Sequence, residues 1–163
     1  MMISAAMNGR LNEQIAAEMY AAHKYLAMAC VLDRMGLKAL SKRFFMQHDE
    51  ELEHARKILK FVLEVGGTVV LDAIQKPPAD YPSLAAIVQA AMDGELDITK
   101  RIHDLVTHAE SEKDYTTRSF LKWFVDEQVE EVSTMSDLLN VVKLAGSNVL
   151  QVESFIRHTM EES

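Results

Sequence analysis

Apolar residues recur along the chain at alternating spacings of three and four, the period of helices that bury one face. The first run reads Leu11, Ile15, Glu18, Ala22, Tyr25, Ala29, Leu32, and the second Phe44, Gln47, Glu51, His54, Ile58, Phe61, Val65. A third reads Leu84, Val88, Ala91, Glu95, Ile98, Ile102, Leu105, and a fourth Leu121, Phe124, Gln128, Glu131, Met135, Leu138, Val142. Short breaks fall at Gly36, between Glu110 and Asp114, and at Ala145-Gly146-Ser147-Asn148. One longer break runs from Gly66-Gly67-Thr68 to Pro82 and contains all three prolines. The pattern predicts helices at about 8–36, 38–65, 83–110 and 114–145, with a short fifth at about 149–160, in a single all-α domain spanning 1–163.

Connection lengths select the topology. Short turns make the first two helices one antiparallel hairpin and the next two another. The segment 67–82 has 16 residues, which reach roughly 50 Å when extended. A helix of the predicted length spans only roughly 42 Å, so the segment can run the length of a bundle and set the third helix parallel to the second. Two hairpins joined by one long crossover are the ferritin-like form of the four-helix bundle.

The anomaly lies in the middle of every stripe, where ionisable or amide residues replace aliphatic ones. Glu18 and Glu51 lie 33 residues apart, as do Glu95 and Gln128, and a shift of 77 carries Glu18 to Glu95, Glu51 to Gln128 and His54 to Glu131. The hairpins therefore bring their polar groups to one level from four sides. Glu51 with His54, and Gln128 with Glu131, are i,i+3 pairs on one helix face. A carboxylate buried without a partner costs several kcal/mol or becomes neutral. Two divalent cations would offset the four negative charges of Glu18, Glu51, Glu95 and Glu131, and carboxylates with one imidazole suit iron or manganese. The competing explanation is a metal-free polar network that only specifies the register of the bundle.

Composition narrows the function classes. Lys and Arg total 17 against 25 Asp and Glu, a formal net charge of −8, which argues against a nucleic-acid partner and suits attraction of cations. The single cysteine, Cys30, forms no internal disulfide and is expected as a small buried apolar residue. No signal pattern opens the chain and no apolar run reaches the length of a membrane span, so the expected address is cytoplasmic.

With these features assembled, the chain resembles the bacterial non-haem ferritins from about residue 8 to 145. The resemblance rests on Asn12-Glu13-Gln14 leading to Glu18 and Tyr20, on Glu50-Glu51-Leu52-Glu53-His54, on Phe120-Leu121-Lys122-Trp123-Phe124-Val125, and on Glu127-Gln128-Val129-Glu130-Glu131. It implies a ferroxidase and iron-storage subunit that oxidises Fe(II) with dioxygen or peroxide at a di-iron site. Glu18 and His54 would be terminal ligands of the first iron and Glu51 the bridge. Glu95 and Glu131 would hold the second, with Gln128 close by. A third iron would use Glu50, Glu127 and Glu130, sharing Glu131. Tyr25 takes the family's tyrosine position beside the pair and Trp123 a nearby tryptophan position, either as electron donors or as packing aromatics.

The resemblance further implies a homo-oligomeric shell of twenty-four copies, with the fifth helix at the four-fold axes, and ferric mineral inside. Bacterioferritins differ in placing Glu-x-x-His on the fourth helix and in binding haem through a methionine where this chain has Leu52, so no haem is expected. A rubrerythrin-type thiolate iron site cannot be built from one cysteine. The acidic pore positions of eukaryotic ferritins fall on Arg118 and Leu121 here; Glu110, Glu112 and Asp114 are the alternative acidic groups. Two other function classes fit the residues: a di-iron or di-manganese oxidase acting on an organic substrate, and a metal-free oligomeric scaffold.

Overall fold

A computed structural model describes residues 2–161. Met1, Glu162 and Ser163, the ends of the predicted domain, lie outside the described residues. Five helices follow one another: α1 (Ala5–Arg34), α2 (Lys38–Glu64), α3 (Leu84–Ser111), α4 (Tyr115–Ala145) and α5 (Val149–Glu161). α1 packs along α2 and α3 along α4, the two hairpins meet, and α5 lies across α2 and α4. The architecture is the all-α, ferritin-like four-helix bundle with a short C-terminal helix.

The helix ends have local causes. α1 begins at Ala5, earlier than the apolar stripe suggests, because the Ser4 hydroxyl accepts from the Met7 amide at 2.9 Å. It ends in a Schellman turn: Gly36 has φ +81°, and the Leu37 amide reaches back to the Leu32 carbonyl at 3.0 Å. Ser83 caps α3 and Asp114 caps α4. α2 has no such cap, since Leu37 occupies the position. The carboxylate of Glu153 on α5 takes over, accepting from the amides of Ala39 at 2.5 Å and Leu40 at 3.1 Å. A buried anion at a helix N-terminus satisfies free donors and opposes the helix dipole. Nothing near residue 37 in the sequence announced this partner.

The crossover from 65 to 83 is extended and mostly exposed. Its start is clamped to α1 by two asparagines. Asn8 accepts from the Thr68 amide and donates to the Thr68 carbonyl; Asn12 donates to that carbonyl and accepts from the Val70 amide, all between 2.8 and 3.1 Å. Gly67 makes this approach possible, because a Cβ there would stand 2.4 Å from Asn8 Oδ1 and 3.0 Å from the Val62 carbonyl oxygen.

Every residue of the four stripes is buried. Most of the apolar ones, together with neighbouring apolar side chains, form two separate clusters. One gathers Met28, Leu40, Phe44, Ile87 and Met135; the other gathers Ile15, Ile58, Ile102, Leu121 and Phe124. The polar residues at the middle of each stripe lie between them. Cys30 corrects the expectation of burial: it is exposed, because position 30 points away from the face carried by Ala29 and Leu32. On α5, Val152 and Ile156 are buried while Phe155 faces outward.

Gly67→Ala is expected to lower the unfolding free energy by about 2 kcal/mol through overpacking and loss of the asparagine clamp. Gly9→Ala, in α1 with open space around it, should raise it by about 0.5–1 kcal/mol. Chemical denaturation of both variants beside the unaltered chain tests the pair of opposite signs.

Candidate metal centre

The layer between the two clusters holds Glu18 from α1, Glu51 and His54 from α2, Glu95 from α3, and Gln128 and Glu131 from α4, all buried. Each helix delivers its group at this level because the hairpins are matched in register. Glu18, Glu51 and His54 each offer a ligand atom, all within 4.8 Å of one another. His54 Nδ1 lies 3.2 Å from Glu51 Oε2. The ring of His54 is fixed by edge contacts with Trp123 and Phe124, at centroid separations of 5.5 and 6.0 Å.

A second grouping joins His54, Glu127 and Glu131 within the same distance. Glu127 is half-buried, and its Oε1 lies 3.9 Å from His54 Nε2. Of the remaining predicted third-site residues, Glu50 is half-buried and Glu130 is exposed; neither joins the two groupings. Glu95 also stands outside them, because its carboxylate is held by other partners. The Tyr25 hydroxyl donates to Glu95 Oε1 at 2.5 Å, and Gln128 Nε2 approaches Oε2 at 3.3 Å.

Three side chains have supporting roles that the sequence reading does not assign, although Gln47 stands in the second stripe and Gln14 in the motif before Glu18. Gln14 donates to Glu18 Oε1 at 2.7 Å and Gln47 to Glu131 Oε2 at 2.9 Å. Thr99 Oγ1 donates to the Glu95 carbonyl and contacts Gln128 Nε2 at 3.1 Å. Gln14 and Gln47 sit one turn before Glu18 and Glu51, so a buried amide at i−4 from each glutamate was the available signal. Even so, no amide, hydroxyl or ammonium reaches the buried Glu18 Oε2, and only a proton shared with the Glu51 carboxylate can satisfy it.

The electrostatics follow from dryness and like charge. Burial, then the charge of Glu51, pushes the Glu18 carboxyl well above the usual range. Burial, then Glu95, does the same for Glu51. Glu131 is raised to about 7, by burial first and Glu95 second. Burial and the neighbouring Glu95 raise the Tyr25 hydroxyl, which therefore stays protonated and donates. Without cations, the layer takes up protons instead. The donor set fits a divalent cation: two buried carboxylates that share a proton for want of another donor, beside an imidazole, are the arrangement a metal would complete.

Outside the layer, on the α2 and α4 side, a cleft of about 450 Å³ adjoins His54 and Trp123, with Asp49, Glu50, Glu53 and Glu127 set against Arg56. It is open and acidic, a mouth suited to a cation more than to an organic molecule. The turn acids have other employment: Glu110 pairs with Arg118 at 2.8 Å, Glu112 accepts from Ser4, and Asp114 caps α4. Leu121, at the other eukaryotic pore position, is fully buried. No helix among the described residues is long and apolar enough to cross a membrane.

Residues 8–145 match the model of the ferritin-like domain. Over 147 residues the chain is 35% identical to a bacterial non-heme ferritin of Staphylococcus epidermidis, covering 90% of this chain and 89% of that one. A probable bacterial non-heme ferritin-like protein of Haemophilus influenzae is 33% identical with the same coverage. Among solved structures, an open-pore ferritin of the hyperthermophilic archaeon Archaeoglobus fulgidus superposes with a TM-score of 0.93 at 41% identity, over 95% of this chain and 96% of that one.

A pH dependence follows from the raised carboxyls. Their folded pKa values exceed the unfolded ones, so their stabilisation is fully present below about pH 4.5 and is lost as pH rises through the folded values, near 7 for Glu131. Metal-free protein should lose melting temperature between pH 5 and 8. The loss should shrink in Glu131→Gln and on addition of a divalent cation, which replaces the protons. A melting temperature that is flat across this range, or equally steep in the variant, would contradict the assignment.

Proposed function

The chain belongs to the ferritin family, and from that premise we propose that it is a ferroxidase and iron-storage subunit. It oxidises Fe(II) in the layer between the two hydrophobic clusters and retains the ferric product as mineral within a cytoplasmic shell of twenty-four copies. The observation that carries this reading is the convergence of buried Glu18, Glu51 and His54, with ligand atoms within 4.8 Å of one another, in a layer of four carboxylates. A dry cluster of this kind has little to gain as mere scaffold.

In this reading Glu18 and His54 are end ligands of one iron, and Glu51 lies between the two irons. Glu95 and Glu131 serve the second iron, with Gln128 orienting Glu95. Tyr25 fixes the other oxygen of Glu95 through its hydroxyl. Glu127, with Glu50 and Glu130 beside it on the acidic cleft, supplies a third position on the way in or out. Arriving Fe(II) displaces the protons that burial holds on Glu18, Glu51 and Glu131. Each of two Fe(II) then gives one electron to dioxygen, which takes up two protons and leaves as hydrogen peroxide. With peroxide as oxidant, the same two electrons and two protons yield two waters. The helices keep the ligands rigid, so both ions are held close without rearrangement at each turnover.

Anaerobic loading with Fe(II), followed by air, tests the reading through near-ultraviolet absorbance and the iron retained after gel filtration. Rapid oxidation at two or three Fe(II) per chain, with far more iron kept in a large particle, is the expected outcome. Oxidation without further retention would point to an oxidase of other substrates, and a rate no higher than without protein would overturn catalysis. Glu51→Ala and His54→Ala should each slow oxidation by roughly tenfold or more and abolish stabilisation by added divalent metal.

A further inference from the structure

Two approaches lead from solvent to the polar layer, and they carry opposite charge. The cleft on the α2 and α4 side is lined by four carboxylates and reaches His54. On the opposite side, a narrow crevice between α1 and α3 reaches Tyr25 and Glu95. Its walls are Ala21, Ala90, Ala91 and Gly94, and Lys24 stands at its mouth. Burial grades inward: Lys24, Ala90 and Gly94 are half-buried, and Tyr25 and Glu95 are fully buried. The crevice has about 10 Å³ of space for the centre of a water-sized molecule, which is the scale of a single small guest.

Lys24 is placed rather than loose. Its Nζ lies 5.1 Å from the centroid of the Tyr20 ring, within cation–π range. It also covers the backbone of Gly94 so closely that a Cβ there would stand 3.1 Å from it. Among the described residues it pairs with no carboxylate. An ammonium held over the entrance, with no counter-ion, opposes a divalent cation at short range. A neutral diatomic molecule meets no such barrier, and the methyl-lined walls suit it better than a hydrated ion.

We infer that this crevice admits the neutral oxidant, dioxygen, and that Lys24 is the specificity residue that keeps Fe(II) out of it, leaving iron to the acidic cleft. The inference rests on the proposed ferroxidase reading. Separate entrances would let dioxygen arrive at the Tyr25 and Glu95 side while iron fills the His54 side.

The test is stopped-flow oxidation by the assembled protein, varying dioxygen at saturating Fe(II) and Fe(II) at saturating dioxygen. Ala90→Leu narrows the mouth at a half-buried position without touching a proposed ligand. Its half-saturating dioxygen should rise roughly threefold or more, with the Fe(II) dependence unchanged. Lys24→Glu should lower the Fe(II) needed for half-maximal rate and leave the dioxygen dependence in place. Xenon, an inert probe of small apolar space, should occupy the crevice in pressurised crystals of the unaltered protein and be absent from Ala90→Leu. A raised Fe(II) requirement in Ala90→Leu would make the crevice an iron route and overturn the inference. So would unchanged dependences on both substrates, or an Fe(II) dependence that ignores Lys24→Glu. Failure of the unaltered protein to oxidise Fe(II) would be a different result, overturning the proposed function itself.

Discussion

Four carboxylates and an imidazole held away from water, between two apolar blocks, are the constraint around which this molecule is organised. Ionised groups of one sign cannot share a dry layer unless protons or cations join them. The bundle must therefore bring them to one level and keep them there. A slip of one helical turn, about 5.4 Å, in either hairpin would set a glutamate at the level of Ile15, Ile58 or Phe124 and leave its charge with no companion. Helix lengths, turn lengths and the crossover all serve this alignment. The two clusters act as clamps above and below, packed tightly enough that the intervening side chains have fixed neighbours.

Much of this was visible in the linear pattern. A helix repeats its buried face every three or four residues, so Glu18, Glu51, Glu95 and Glu131 stood out where Leu or Ile was due. The equal offsets between the hairpins place them at one height from the sequence alone. What escaped was set by contacts across the fold rather than along it. Gln14 lies beside the stripe, and its pairing with Glu18 depends on side-chain direction. Glu153 capping α2 joins residues more than a hundred positions apart. Cys30 departs from the expected burial because adjacent helical positions face different ways: Ala29 points into the core and Cys30 outward. Glu130 and Glu127 are three positions apart on one helix, yet only Glu127 reaches His54.

The crossover illustrates how little regular structure a defined path requires. Its prolines exclude helix, and its backbone carries few internal bonds. Two asparagines on α1 bond the backbone at Thr68 and Val70 in the manner of a neighbouring strand, and direct the chain along the bundle. The same edge of α1 that fixes this exit begins the stripe leading to Glu18. The start of the long connection and the start of the polar layer are therefore registered on one helix.

The bond between Glu153 and the first turn of α2 has a consequence for biosynthesis. During translation α2 emerges more than eighty residues before α5, so its leading amides wait for an acceptor that has not yet been made. The hairpin of α1 and α2 can form early, but the end of α2 is completed only when α5 has been made and folds back on it. A polypeptide cut short before α5 would thus carry an unfinished helix end beside the exposed tops of its apolar cluster. The apolar surface left bare is the one that Val152 and Ile156 cover, so one short helix closes both a polar and an apolar gap.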